Sequence, residues 1–362
     1  MGKIISIRRL WYNKTVNHKY LHMVLSVWII VLLASLSTLV KSADHFTDYA
    51  EKLGKLLKLP NFIIGVLIVA VGTSLPEFAT SIMGVSQGDV EFLSGNVLGT
   101  VIVNILLGLS IAVLFTKRKT IFNWDIVSND LPFFAGAIFL VVITLMDGVF
   151  TRPEAILFLL GYVIYVFYAY YIQREVKETA KDQLNKELAK EIKKDVDDAD
   201  KKAKPTKFLD KYISEKGKIF LYLFVSLIIV AISSHFVVEA VLNLAVILGL
   251  GTSVLAATAV ALGTSLPEIL VAVSAARRGN FDMVIGDILG SNIFDIFVIY
   301  GVAGLFTQLT ITPELFMILI PFLVGSFFLL WLVLIDKKIT RTEALLFVLI
   351  YILFVGKLFH LF

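Results

Sequence analysis

Apolar runs of about twenty residues recur along the chain, separated by short polar stretches, and each is long enough to cross a bilayer as a helix. In the first half they predict helices over about 23–40, 62–85, from 92 to before Lys117, 131–146 and 151–171. The same order returns with a run over about 219–241, a seventh around 263–268, an eighth from about 284 and two more. A basic tail over residues 1–20 precedes the first run, and a charged segment over 173–218 separates the halves. The expected organisation is therefore a tail, a five-helix repeat over 21–172, the charged segment, and a second five-helix repeat over 219–362. The first run exceeds a signal-peptide core and shows no convincing cleavage site, so it is read as a retained helix.

Two of these runs contain residues that do not belong in hydrocarbon. Gly72-Thr-Ser-Leu-Pro-Glu77 recurs as Gly263-Thr-Ser-Leu-Pro-Glu268. A carboxylate at membrane depth costs at least about 2.5 kcal/mol on insertion scales and normally marks an ion or proton pathway. Glycine and proline loosen the helix beside it and free backbone carbonyls, which suits a polar cavity. The repeat extends further at an offset of 191 residues, pairing Gly88 with Gly279, Gly95 with Gly286, Gly99 with Gly290 and Asn104 with Asp295. Thr151-Arg-Pro-Glu-Ala matches Thr340-Arg-Thr-Glu-Ala near the end of each half. An odd number of crossings per repeat turns the second half upside down, so the expected fold is an all-α membrane protein of about ten helices in two inverted repeats.

Composition agrees with this reading and adds constraints. The chain of 362 residues is 58% hydrophobic and only 17% charged, too apolar for a soluble domain of this size. Cysteine is absent, which removes disulfides, thiolate metal sites and cysteine nucleophiles. Basic residues follow the odd-numbered runs, at Lys52, Lys55, Lys58, Lys117–Lys119, Arg277, Arg278, Lys337, Lys338 and Arg341. That side is expected to be cytoplasmic, although the basic tail runs against the assignment. Within the charged segment, Leu184, Leu188, Ile192 and Val196 predict a short amphipathic helix suited to an anionic membrane surface. The acidic stretch Asp195–Asp200 lacks the glycine and terminal glutamate of an EF-hand and reads first as a solvated linker, with a regulatory cation site as the other reading.

The polar residues inside the runs form a matched set. Asn96, Thr100 and Asn104 fall at i, i+4 and i+8, as do Asp287, Ser291 and Asp295 in the second half. That spacing lines one helix face. With Thr73, Ser74, Glu77, Thr264, Ser265 and Glu268 they offer carboxylate, hydroxyl and carbonyl oxygens without histidine or thiolate, a set for hard cations such as calcium and sodium. Two central glutamates without a neighbouring Lys or Arg call for cationic charge, and a site charged when empty favours exchange over uniport. Isolated hydroxyl residues in membrane helices commonly serve packing, and Asp287 reads equally as a cap at the start of its helix after Gly286. Asp44, Asp48, His235 and Glu239 read as interfacial anchors.

On these residues the chain resembles the sodium/calcium exchanger family, prokaryotic type, within the calcium/cation antiporters. The resemblance rests on Val71-Gly-Thr-Ser-Leu-Pro-Glu-Phe-Ala-Thr80, Gly95-Asn-Val-Leu-Gly-Thr100, Ala261-Leu-Gly-Thr-Ser-Leu-Pro-Glu-Ile269 and Gly290-Ser-Asn-Ile-Phe-Asp295. It implies a secondary antiporter with Ca2+ and Na+ as substrates and the lipid bilayer as its setting. It implies no enzymatic cofactor and no nucleic-acid or protein partner. By resemblance Glu77 and Glu268 are shared calcium and sodium ligands, Thr73 and Thr264 add backbone oxygens, and Ser74, Thr100, Ser265 and Ser291 complete the sodium sites. Ala70 and Ala261 would lend carbonyls, with Asn104 and Asp295 facing the middle. Thr100 stands where serine is usual and Asp287 where asparagine is frequent, which leaves proton or potassium coupling open. An intramembrane hydrolase is disfavoured, because Gly-x-Gly-Asp and Gly-x-Ser-x-Gly are both missing and no histidine lies near the acids.

Overall fold

The computed structural model describes residues 18–57, 59–86, 88, 90–118, 120–121, 130–169, 171, 208–247 and 263–358. The amphipathic helix expected over 184–196, the acidic stretch 195–200, most of the basic tail and Ala261 lie outside the described residues.

The chain is helical almost throughout. Two 40-residue helices, α1 (His18–Leu57) and α6 (Phe208–Ile247), pack against each other. At 1.5 Å per residue each is about 60 Å long, twice a hydrocarbon core. Both overrun the limits expected from sequence. Past Val40 the charged residues of α1 stay out of the core, while Leu39, Ala43, Phe46 and Ala50 continue a buried stripe on the other face. That stripe keeps the helix docked where the run of apolar residues stops. Likewise α6 starts eleven residues before Ile219, inside the segment read as a loop.

The next helices follow the predicted order. They are α2 (Asn61–Ser86), α3 (Val90–Leu114), α4 (Leu131–Leu145) and α5 (Arg152–Ala169). The second half has α7 (Leu266–Arg278), α8 (Phe281–Phe306), α9 (Pro313–Ile335) and α10 (Arg341–Leu358). Seven helices of the described residues are long and apolar enough to span a membrane, and α4 is a shorter apolar helix.

The repeat seen in sequence is also a repeat of backbone irregularities. At Ser74 the helix breaks at φ −80°, ψ 0°, and at Ser265 it breaks at φ −78°, ψ −3°. Pro76 and Pro267 have no N–H for the carbonyls of Gly72 and Gly263, and the next amides resume the ladder, Phe78 to Ser74 and Ile269 to Ser265, both at 3.0 Å. A π-helical turn covers Asn104–Gly108 in α3 and another covers Asp295–Ile299 in α8. The helix starts match as well: Thr151 N–H and Oγ1 donate to Glu154, and Thr340 N–H and Oγ1 donate to Glu343, at 2.6–2.8 Å.

Connections between the halves meet at two ends of the bundle. At one end Arg278 donates to the Asp44 carbonyl and to Asp48, Thr116 donates to the Ala276 carbonyl, and Arg341 donates to the Thr116 carbonyl. Ile121 bridges Lys338 on the same side. At the other end β1 (Val149–Phe150) pairs antiparallel with β2 (Leu309–Thr310). The centre is held by close approach of α2 and α8. A Cβ on Gly286 would lie 2.3 Å from the Phe62 carbonyl oxygen, and one on Gly290 would lie 2.8 Å from Val66 Cα. Small residues that let two backbones touch are the usual device of membrane helix packing.

Candidate functional site

The two helix breaks set the position of the two glutamates. Each break begins a new helical segment, Leu75–Ser86 or Leu266–Arg278, and Glu77 and Glu268 lie in its first turn. The segment's N-terminal amides favour a carboxylate there, while carbonyls freed at the break favour a cation beside it. Both side chains are buried.

Around them the structure brings together most of the predicted set. Glu77 lies beside Thr264 and Glu268 and within electrostatic reach of Asp295. Glu268 faces Glu77, Asp295 and Asp287. Ser74 Oγ donates to Glu268 Oε1 over 3.4 Å, Thr73 Oγ1 lies 3.5 Å from Asp287 Oδ1, and Ser74 also lies near Asp295. Asn104 Nδ2 donates to Asn292 Oδ1 at 3.2 Å. The hydrogen-bonding contacts among these cross between the halves. Thr100, Ser265 and Ser291 are buried in the same set of helices, Ser291 donating to the Ile288 carbonyl. The Ala70 carbonyl accepts from the Ser74 amide at 3.0 Å and from Thr73 Oγ1 at 3.3 Å, so it is already partly satisfied.

Nine buried oxygens here lack a hydrogen-bond partner: both of Glu77 and of Asp295, one each of Glu268, Asp287 and Asn104, and the hydroxyls of Thr100 and Ser265. A buried polar atom left unpaired costs about 1–3 kcal/mol, more when charged. No Lys or Arg is buried among the described residues to serve them. Oxygens gathered in this way are suited to hard cations. Among the described residues no three acidic or imidazole groups converge closely enough to hold a metal by themselves. The amide, hydroxyl and backbone oxygens would therefore have to complete any coordination shell.

Two sequence readings change. Asp287 is not a helix cap: Asn280 caps α8, accepting from the Met283 amide, and Asp287 is buried two turns further on. Asn292, absent from the expected set, is the partner of Asn104. A third contact, Asn96 Nδ2 to Ser81 Oγ at 3.0 Å, ties α3 to α2 one turn beyond Glu77. Asp48 makes ion pairs with Lys52 and Arg278, and Glu239 lies 3.9 Å from His235.

A cavity of about 380 Å³ leads toward this centre between α2 and α6. Pro76, Thr80 and Met83 line one wall, Ser234 and His235 the other, and Thr264 lies at its inner end. Ser234 Oγ donates to the Gly263 carbonyl at 3.1 Å, the group that Pro267 leaves free.

The chain is similar to known proteins. The family profile described as sodium/calcium exchanger protein matches residues 27–171 and 218–359. Sodium/calcium exchanger MaX1 of Methanosarcina acetivorans is 30% identical over 361 residues, covering 93% of this chain and all of its own. Inner membrane protein YrbG of Escherichia coli is 30% identical over 283 residues, 78% of this chain and 81% of its own. The solved structure of the sodium-calcium exchanger NCX_Mj superposes with a TM-score of 0.72 at 26% identity, covering 92% of this chain and 99% of that one. The duplicated, broken helices carrying Glu77 and Glu268 are thus part of a multi-pass cell-membrane transporter, and the chain belongs to the sodium/calcium exchanger family.

Proposed function

We propose that this protein exchanges sodium for calcium across the membrane by alternating access, through one central all-oxygen site built from both halves. The observation that carries the reading is the pair of buried glutamates at matched helix breaks, surrounded by orphaned oxygens. Glu77 and Glu268 are the shared ligands of both ions. Thr73, Ser74, Thr100, Asn104, Thr264, Ser265, Ser291 and Asp295 complete the sites, with carbonyls from Ala70 and Ala261. Filled with a divalent ion or several monovalent ones, the cluster is near neutral and can change sides. Empty, it carries several like charges in low dielectric and resists the change.

The architecture that fits this function is ten helices in two inverted repeats, over 21–172 and 219–362, with basic loops cytoplasmic. The matched breaks, matched π turns and matched capping boxes support the repeat. The two cross-half backbone pairings support the inversion, because the same two loop positions of each repeat meet at opposite ends of the bundle.

The test is calcium uptake into vesicles preloaded with sodium. Uptake driven by the outward sodium gradient is expected, and uptake that ignores sodium would overturn the coupling. A second reading, proton or potassium coupling, is favoured by one observation. Asp287 makes a fourth buried carboxylate in the cluster, one more negative charge than Glu77, Glu268 and Asp295 supply. Replacing the sodium gradient by a pH or potassium gradient in the same assay separates the two.

A further inference from the structure

A second cavity lies away from the ion site, on the outer face of the α1–α6 pair. It measures about 430 Å³ and is lined by Lys41, His45 and Tyr49 of α1 and by Tyr222, Ser226 and Ile229 of α6, among others. The core-facing residues of α1, such as Ala43, Phe46 and Ala50, point the other way. The groove is therefore open to the surrounding membrane, not to the site.

Its chemistry is unusual for such a surface. Lys41 ends the apolar run of α1, and the groove's other wall, Tyr222 to Ile229, is the first part of the apolar run of α6, so the groove lies in the basic-loop half of the helix pair. This is the end of the bundle where Arg278 meets Asp44 and Asp48, the end with the basic loops. Asp48 is already occupied by Lys52 and Arg278, and Lys41 makes no ion pair among the described residues. Tyr49 and Tyr222 stack at 5.1 Å, and Lys52 sits 4.7 Å over the Tyr49 ring, closing the outer end. The hydroxyls of Ser42 and Ser226 line the groove and donate to their own helices, at Leu39 and Leu223, so each can still accept a hydrogen bond. Toward the membrane interior the walls become apolar, with Leu33 and Ile232 exposed.

An unpaired cation, acceptor hydroxyls beside it and apolar walls leading inward match one kind of occupant. We propose that this groove binds a single anionic glycerophospholipid of the leaflet on the basic-loop side. Its phosphate lies on Lys41 and His45, its headgroup hydroxyls donate to Ser42 and Ser226, and its acyl chains follow Leu33 and Ile232. Basic pockets between membrane helices on the cytoplasmic side are suited to anionic headgroups. The proposal is independent of the ion site and of which ions are exchanged.

The experiment uses the full chain in nanodiscs of phosphatidylcholine with added phosphatidylglycerol, read by native mass spectrometry and by thermal unfolding. One retained phosphatidylglycerol per chain is expected, with a rise in melting temperature that phosphatidylcholine alone does not give. Lys41→Gln should weaken retention about fivefold, the effect of one juxtamembrane cation. Ser226→Leu, which fills the groove and keeps every charge, should weaken it as well. Lys117→Gln, a basic residue outside the groove, should leave it unchanged. Equal loss in the Lys117 variant would mean diffuse surface attraction only and would overturn the site, as would retention surviving both groove variants. Should Lys41→Gln fold poorly, Lys41→Arg is expected to restore retention, and its failure to do so in a folded protein counts against the proposal.

Discussion

Glu77 has two buried oxygens with no donor in bonding geometry, yet it sits in the first turn of a helix whose amides favour negative charge. Such a residue is held ready for something that the protein itself does not provide. Replacing it by glutamine keeps the shape, removes one negative charge from the cluster and removes a bidentate ligand. Glu77→Gln is expected to lower calcium affinity at least a hundredfold, since losing one partner of a buried ionic contact costs about 3–5 kcal/mol. Its ion-free melting temperature should not fall, because repulsion with Glu268 and Asp295 is relieved. Calcium-dependent thermal shift measures both; an unchanged shift would show that Glu77 is not a ligand. Ser234 makes a different argument at the same scale. It satisfies the carbonyl that Pro267 frees, so Ser234→Ala should cost about 1 kcal/mol of stability without removing a ligand. Equilibrium unfolding of the two proteins side by side would detect that loss.

Among the helices, the breaks were legible in the sequence because Gly, Pro and Glu each violate an apolar run, and they do so at the same spacing in both halves. The π turns were not, since Asn104-Ile-Leu-Leu-Gly108 and Asp295-Ile-Phe-Val-Ile299 share no glycine or proline at a matching position. Each begins on a polar side chain that faces the centre, in keeping with the frequent occurrence of such turns at functional sites. The lengths of α1 and α6 escaped a search for apolar runs because charged residues interrupt the sequence of their outer turns. Asp287 looked like a cap because Gly286 precedes it, whereas the helix starts earlier, at the Gly279-Asn280 turn where Gly279 has φ +81°. Gly286 serves packing instead, and Asn292 was missed because it falls one residue off the i, i+4 stripe. The contact between α2 and α8 yields its own prediction. Gly290→Ala would place a Cβ 2.8 Å from Val66 Cα and 2.9 Å from Ala70 Cβ, and overpacking of this kind costs about 1–3 kcal/mol. Gly325→Ala in α9 meets nothing within 4 Å and should be neutral or stabilising by a few tenths. Thermal unfolding that ranks the two the other way would mean that the α2–α8 approach is not as close as described.

For the whole molecule, the symmetry between the halves is broken in one respect that bears on transport. The cavity beside Thr80 runs between α2 and α6 to Thr264, whereas Val271, the residue at the matching position 191 further on, is buried in α7. Under the exchange proposed above, an approach beside Thr80 together with burial at the matching Val271 corresponds to one of a pair of states, and exchanging the roles of the halves generates the other. In that second state the approach would lie between α1 and α7, end at Thr73, and expose Val271 while closing over Thr80. Because the chain contains no cysteine, single cysteines can report this without background. Thr80→Cys is expected to react with a membrane-impermeant maleimide applied from the side opposite the basic loops. Val271→Cys should react only from the basic-loop side, and only under ion gradients that populate the other state. The two labelling rates should then move in opposite directions as the sodium and calcium gradients are reversed. If both positions label from the same side, or if both rates rise together, the halves do not alternate and the exchange must use a different route.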